Sequence, residues 1–412
     1  VSLNGTIQAP TDSFTVSGST LTFASNLSTG DVIDFIMVFG NSLSAGTPTD
    51  ATVTTAKLAD SAVTNAKLSF NANQYRNIII NGDMSVAQRT TSASSLTSSG
   101  YHALDRFRCV IVTAGTWTIS QSTTVPSGQG FATSMKWDNT TADSSLGASD
   151  FVSVQQFIEG QNLQYLKKGT SSAESLTVSF WVRSNKTGTY ILELKDNDNT
   201  RAISQSYTIS SADTWEKKEL TFAGDTTGTL DNDSNASFLV QFALAAGSDY
   251  TSGSLQTSWG AETTANRYVG QVNLADSTSN EWYMTGLQVE VGTAASDFEF
   301  LPHDVNLRRC QRYFIDMANQ SGVSYSSTNG MTWNLQFPTT MRTAPSTAFN
   351  YSGTANRIYR LDNAATFDFT GPQIFDNVDG IVFMYSAGTP ASGWAAAPGT
   401  GFQADWTADA EL

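Results

Sequence analysis

Residues 175–184 read S-L-T-V-S-F-W-V-R-S. Leu176, Val178, Phe180 and Val182 fall on one side of a period-two pattern, and Thr177, Ser179, Trp181 and Arg183 fall on the other. Successive side chains of a strand point to opposite faces, so this is the writing of a strand with one face in a core. Five further segments read as strands: GTYILELKDN (188–197), RAISQSYTIS (201–210), WEKKELTFAG (215–224), SFLVQFALAAG (237–247) and NEWYMTGLQVEVG (280–292). Turn residues separate them at the spacing of a β-sandwich. Trp181 lies within a strand and Trp215 and Trp282 at strand starts, so all three read as packing residues.

The composition agrees. Charged residues are 14% of the 412-residue chain, against the usual quarter or so, while hydrophobic residues are 40% and aromatics 11%. Ser, Thr, Asn and Gly replace the Glu, Lys and Leu that long amphipathic helices need. The chain is too long for one core, which sets an expectation of two to four domains. A formal charge of −15, from 22 basic against 37 acidic residues, argues against nucleic acid and against anionic membrane surfaces as partners. No apolar run approaches the ~18 residues of a membrane helix, and no charged-then-apolar signal peptide is read. The chain begins on Val1, which leaves upstream sequence open. For Cys109 and Cys310, one bridge is an open reading; two buried thiols are favoured, because disulfide-stapled scaffolds carry several pairs.

Outside the sandwich the chain divides further. Residues 1–48 read as a small β-domain, with Phe14, Val16, Leu21 and Phe23 on a period of two and GDVIDFIMVFGN (30–41) as a buried strand. Residues 49–72 contain the tandem DATVTTAKLADSAVTNAKLS (50–69), which sets Val53, Leu58, Val63 and Leu68 five residues apart. That spacing fits neither a 3.5-residue nor a 3.67-residue repeat, and a lone segment could not bury these side chains. Three chains wound together would bury them, so residues 49–72 are expected to be a trimerising neck. The sandwich occupies 75–301. PHDVNLRRCQRYFIDMA (302–318) predicts a connecting helix over 302–317 with Asp304 as N-cap and an apolar seam of Leu307, Cys310, Phe314 and Met317. Either the chain's own sandwich or a trimer axis could take that seam; the second reading would place Leu307 and Phe314 between subunits. Residues 318–412 predict a C-terminal β domain with a long loop near 386–401.

Three stretches resemble known proteins. FTVSGSTLTFASNLSTGDVIDFIMVFGN (14–41) resembles a short module of bacteriophage tail fibres, and the tandem is similar to the shaft repeats that follow it. RNIIINGDMSVAQR (76–89), LDRFRC (104–109), TWEKKELTF (214–222) and MTGLQVEVGTAASDFEFLPHDVNLRRCQRYF (284–314) resemble the carbohydrate-binding-module-like jelly roll of phage tail fibre and receptor-binding proteins. The resemblance implies an all-β, multidomain jelly-roll protein with one short helix, assembled as an elongated homotrimer. It also implies a virion location on an extracellular tail fibre, contacts with other tail, baseplate or adaptor proteins, and adsorption to host polysaccharide or lipopolysaccharide. It carries over no catalytic or binding residue.

Chemistry is sparse. A Ser-His-Asp triad would need His102 or His303, and both read as structural. Glu290 and Glu299 are the obvious carboxylate pair for a glycosidase, but they belong to the closing motif, where capping is the simpler role. No catalytic residue and no cofactor is assigned. Asp196 with Asp198, and Asp231 with Asp233, alternate oxygen ligands that could hold structural calcium, although neither run completes an EF-hand. Sugars present flat apolar faces to aromatic rings and hydroxyls to amides and carboxylates. Two loops carry such sets: Tyr250, Trp259, Arg267 and Tyr268 in 247–270, and Trp394, Phe402, Asp405 and Trp406 in 388–406. These are the expected ligand residues. The expected function is host attachment by multivalent glycan binding. The alternatives are a tailspike depolymerase, whose long β-helix coils are not read here, and a purely structural fibre or neck protein.

Overall fold

The computed structural model describes residues 1–37, 53–54, 57–58, 75–324, 330–362, 364–368, 372–375, 378–379, 381–386 and 400–412, of which 330–334, 372–373, 375 and 381–386 are described by their backbone alone. The chain forms two compact units, Val1–Ala72 and Asn73–Leu412.

In the first unit, β1 (Ser2–Leu3), β2 (Thr6–Ile7) and β5 (Ile33–Phe35) form a three-stranded sheet, and β3 (Phe14–Ser17) pairs with β4 (Thr20–Phe23). Carboxylates hold its turns. Asp34 accepts from Ser2 Oγ (2.8 Å) and the Gly5 amide (2.7 Å), and Asp31 accepts from Asn4 Nδ2 (2.7 Å) and the Ser28 amide (2.7 Å). These bonds pull both pKa values down. Phe14 is buried, but Ile33 and Phe35 are exposed, so the strand expected here to be buried is not covered within one chain. Val53 and Leu58 of the tandem are likewise 48% and 43% exposed; Val63 and Leu68 lie outside the described residues.

The second unit is all-β and opens with the sandwich. Its strands are β6 (Ser92–Leu96), β7 (Arg108–Val112), β8 (Thr116–Ser122), β9 (Ser134–Thr141), β10 (Phe151–Glu159), β11 (Leu176–Ser184), β12 (Gly188–Asp196), β13 (Arg201–Ile209), β14 (Glu216–Phe222), β15 (Ala236–Ala246), β16 (Gly260–Ala261) and β17 (Glu281–Val291). They build two six-stranded sheets, β16-β13-β12-β15-β10-β7 and β14-β11-β17-β9-β8-β6, with antiparallel pairings. In β11 Leu176, Val178, Phe180 and Val182 are buried as expected; on the other face Trp181 and Arg183 are half-buried, but Thr177 and Ser179 are buried too, so the alternation in exposure shows only in the second half of the strand. The facing layers meet through aromatic rings, with Phe180 edge-on to both Tyr207 (5.0 Å) and Phe242 (4.9 Å). Trp117, Trp137 and Trp282 are fully buried, while Trp215 is half-buried. Burying the roughly 150–250 Å2 of such a ring contributes about 4–6 kcal/mol at about 25 cal/mol per Å2. Cys109 and Cys310 are free, buried thiols, which settles the choice left open above.

The helix is shorter than expected. After α1 (Ser248–Thr251), α2 spans only His303–Gln311 and is preceded by Pro302; Asp304 lies in its first turn, where its charge favours the helix dipole, and no side chain caps it. From Phe314 the chain is strand, because this segment pairs with the last strand of the chain. The seam therefore divides: Leu307, half-buried, and Cys310 stay on the helix, while Phe314 and Met317 begin a sheet. Phe314 is buried within its own chain under the Arg89 guanidinium, 3.7 Å from the ring centroid, and has little surface left for a trimer axis.

The C-terminal strands are β18 (Phe314–Ser324), β19 (Gly330–Asn334), β20 (Ser346–Tyr351), β21 (Thr354–Ala355), β22 (Arg357–Arg360), β23 (Ala365–Asp368), β24 (Pro372–Phe375), β25 (Ile381–Ser386) and β26 (Gly401–Asp409). They make a nine-stranded sheet. In β26 every second residue is buried, Phe402, Ala404, Trp406 and Ala408. This sheet is fastened to the sandwich rather than linked loosely by a helix. Arg106 is buried, stacks 3.4 Å over the Tyr313 ring, donates to Phe157 O (2.7 Å) and pairs with Glu411. Arg89 pairs with Asp409 (3.0 Å), Tyr101 Oη donates to Leu412 O (2.9 Å), and Arg312 grips Glu159 through two 2.7 Å bonds.

Glu411→Ala would leave a buried guanidinium unpaired. Denaturant unfolding of this variant is expected to show a loss of about 3–5 kcal/mol, with Arg106→Leu plus Glu411→Leu recovering much of it.

Candidate functional site

The insertion between β15 and β17 shapes the surface of the first sheet. Gly247 begins it so close to the chain that a Cβ would meet Gly147 O at 2.0 Å. Arg267 then reaches down to Glu193 on β12, donating from Nε (2.8 Å) and Nη2 (2.6 Å), and its Nη1 pairs with Glu262 (3.2 Å). Tyr268 is fully buried and stacks on Phe151 at 5.0 Å, and Tyr250 packs on the same ring at 5.1 Å. Three of the four aromatic and cationic residues expected to meet a ligand here instead seal the insertion onto the sheet. Burial pushes the Glu193 pKa up, opposed by the Arg267 guanidinium, and the net direction is upward.

Trp259 has the other role. Gly260 and Ala261 pair with Ala202 and Arg201, which carries Trp259 to the margin where β13 approaches β14. There an open cleft of about 400 Å3 is lined by Trp259 together with Arg201, Gln205, Thr221, Asp225, Thr257 and Ser258. The indole is fixed rather than free: Nε1 donates to Ala223 O (2.7 Å) and the ring packs on Phe238 at 6.1 Å. Arg201 and Asp225 form a two-pronged pair at 2.8 and 2.9 Å, and Gln205 Nε2 donates to Thr221 O (2.6 Å) across the two sheets. Beneath them Lys168 is buried. Its Nζ lies 5.5 Å from the Trp259 ring centroid, pairs with Asp225 (3.0 Å) and Asp196, and donates to Thr227 O (3.0 Å) and Gly228 O (2.9 Å). Burial would raise the Asp225 pKa, but the bonds from Arg201 and Lys168 outweigh it and hold the carboxylate below its ordinary 3.8.

The remaining expected residues are dispersed. Phe402 and Trp406 are fully buried in the core of the C-terminal sheet, because β26 alternates and turns both inward; neither is open to a ligand. Asp405 accepts from the Asn319 amide (2.7 Å), and Trp394 lies outside the described residues. The calcium candidates are spent in turns: Asp196 takes the Lys168 ammonium and the Asn199 amide (3.0 Å), Asp198 accepts from the Asp231 amide (2.9 Å), and Asp233 accepts from the Asn235 amide (2.9 Å). Among the described residues no three His, Cys, Asp or Glu side chains come together as a metal set. Glu299 accepts from the Tyr75 (2.5 Å) and Asn77 (2.9 Å) amides and Glu290 from Ser296 N (2.8 Å) and Oγ (2.6 Å), so both stitch the closing motif. His102 meets Ser98 O at 3.0 Å, and His303 is exposed at the helix start.

The sequence reading missed Arg201, Gln205, Asp225 and Lys168. The cleft draws on separate stretches of chain, each unremarkable alone; the available signal was the Asp225-Thr-Thr-Gly turn directly after a strand.

No protein-family model and no curated protein matches the chain. Among solved structures it is similar to the enzymatically active domain of tailspike protein 4 of bacteriophage CBA120, at 13% identity, TM-score 0.28, over 53% of this chain and 22% of that one. It is similar to a CBM4 module at 10% identity, TM-score 0.26, over 52% and 98% of the two chains. It is also similar to a family 11 carbohydrate-binding module of Clostridium thermocellum in complex with a mixed-linked tetrasaccharide, at 13% identity, TM-score 0.21, over 50% and 91%. No helix among the described residues is long and apolar enough to cross a membrane.

Arg267→Met tests the anchoring of the insertion. Glu193 would lose the guanidinium that favours its charge, so its folded-state pKa would rise further above the unfolded one. A raised carboxylate pKa means the folded state binds more protons, so stability falls as pH rises. Thermal melting of this variant is expected to weaken progressively above pH 4.5, the ordinary glutamate value. Arg267→Met plus Glu193→Leu should abolish that dependence.

Proposed function

We propose that this chain is a bacteriophage tail fibre or receptor-binding protein that attaches to host surface glycans, with the Trp259 cleft as a glycan site. The observation that carries the glycan reading is an aromatic ring fixed at the wall of an open cleft beside the Arg201–Asp225 pair. A pyranose ring offers its apolar face to an indole, and its hydroxyls donate to a carboxylate and accept from a guanidinium. The bonded pair is preorganised, so little side-chain entropy is lost on binding. The phage assignment rests on the resemblance of 14–41, 50–69 and 76–314.

Binding without hydrolysis is the reading favoured for this cleft. A glycosidase needs one carboxyl with a raised pKa to protonate the leaving oxygen and a second to act as base or nucleophile. Asp225, held ionised by Arg201 and Lys168, suits the acceptance of hydrogen bonds from hydroxyls, not proton donation. Trimerisation through residues 49–72, and several trimers on a virion, would turn weak single sites into firm attachment by avidity.

On an array of bacterial surface polysaccharides the full chain is expected to bind a defined set, and Trp259→Ala to lose at least about tenfold in affinity while keeping the parent's circular dichroism, although loss of the packing on Phe238 lowers its melting temperature. Equal binding by Trp259→Ala would move the site elsewhere. New reducing ends on the bound polysaccharide would replace the binder by a depolymerase. Mass measurement in solution is expected to give three times 44.2 kDa, falling to the single-chain mass when Val53, Leu58, Val63 and Leu68 are all changed to Ser.

A further inference from the structure

A second cavity, of about 380 Å3, lies in the second unit away from Trp259. Its walls come from residues 75–80, the end of β10, the turns at Gly160–Asn162 and Gln164–Leu166, and α2. Two large aromatics flank it, and both are turned outward: Tyr75 is 59% exposed and Tyr165 51%. Rings of this size are normally drawn into a core. Two of them around one hollow, with Ile78, Ile80 and Ile158 among its walls, make a surface suited to a flat ligand face.

Charge in the hollow is unbalanced. Arg312 also lines it, but its charge is met by Glu159 through two 2.7 Å bonds. Arg309 is different. Among the described residues its guanidinium makes one hydrogen bond, to Asn77 O at 3.3 Å, and no carboxylate lies within ion-pair distance of it. Glu299, the acidic group that faces it, has both oxygens engaged by the Tyr75 and Asn77 amides. Arg309 is half-buried, and burial lowers its pKa although Glu299 nearby opposes the shift. Its fork of five N–H donors is shaped for a planar, two-oxygen acceptor.

We propose that this cavity binds a sugar bearing one carboxylate, a uronic acid residue or its like, with the carboxylate on Arg309 and the ring against Tyr75 or Tyr165. The chain's net charge of −15 opposes polyanions at a distance. It does not oppose a single charge in direct contact with Arg309, because solvent-exposed charges beyond roughly 8–10 Å are screened. The fit is therefore to an isolated acidic residue in an otherwise neutral glycan.

The test is saturation-transfer NMR on the full chain with methyl β-glucuronide, methyl β-glucoside and inorganic phosphate as probes. The expected result is transfer to the glucuronide, at least about tenfold weaker binding of the glucoside, and loss of the glucuronide signal in Arg309→Gln. Tyr165→Ala, at an exposed position, should weaken binding several-fold with melting unchanged, which keeps the test decisive if Arg309→Gln is poorly folded. Trp259→Ala should leave the glucuronide signal intact, separating this site from the cleft of the proposed function. Equal signals from glucuronide and glucoside, retention of binding in both Arg309→Gln and Tyr165→Ala, or full displacement by phosphate at equal concentration would each overturn the proposal.

Discussion

The buried pair between Arg267 and Glu193 is the contact on which the candidate site depends. Glu193 sits on the outer side of a sheet whose inner side already packs the core, and its carboxylate is fully buried. Alone there it would be strongly disfavoured, and a buried carboxylate without its partner costs several kcal/mol. Arg267 relieves that cost only if the insertion lies down on the sheet. Once it does, Tyr268 and Tyr250 cover Phe151, Gly260 and Ala261 join β13, and Trp259 is left at the rim. Position of the indole is thus a consequence of the ion pair that ties the loop to β12.

A similar logic ties the end of the chain to its middle. Arg106 is buried beneath Tyr313 and needs Glu411, close to the C-terminus, to balance its charge. Asp409 and Leu412 add their own contacts to Arg89 and Tyr101. The sandwich and the C-terminal sheet consequently share one compact unit. These pairs join residues hundreds of positions apart.

What the sequence made legible follows physical range. Alternation is local, so β11, β12, β13, β15 and β17 could be read directly, and so could the all-β class. Helix length was overread because Phe314 and Met317 continue a helical spacing, while pairing with β26 decides their state. The same limit explains the ligand residues. An aromatic in a polar loop looks the same whether it seals a sheet, as Tyr268 does, or lines a cleft, as Trp259 does. Only the partners distinguish them, and Glu193 and Arg201 lie more than 50 residues upstream of these rings.

The proposed function sets a glycan against Trp259. Fluorine NMR of the chain carrying 5-fluorotryptophan at its nine tryptophans, titrated with a bound polysaccharide's oligosaccharide, addresses it directly. The resonance assigned to Trp259 by its absence in Trp259→Phe is expected to shift, while those of buried Trp117, Trp137 and Trp282 stay fixed. A titration that saturates with the Trp259 resonance unmoved would contradict it.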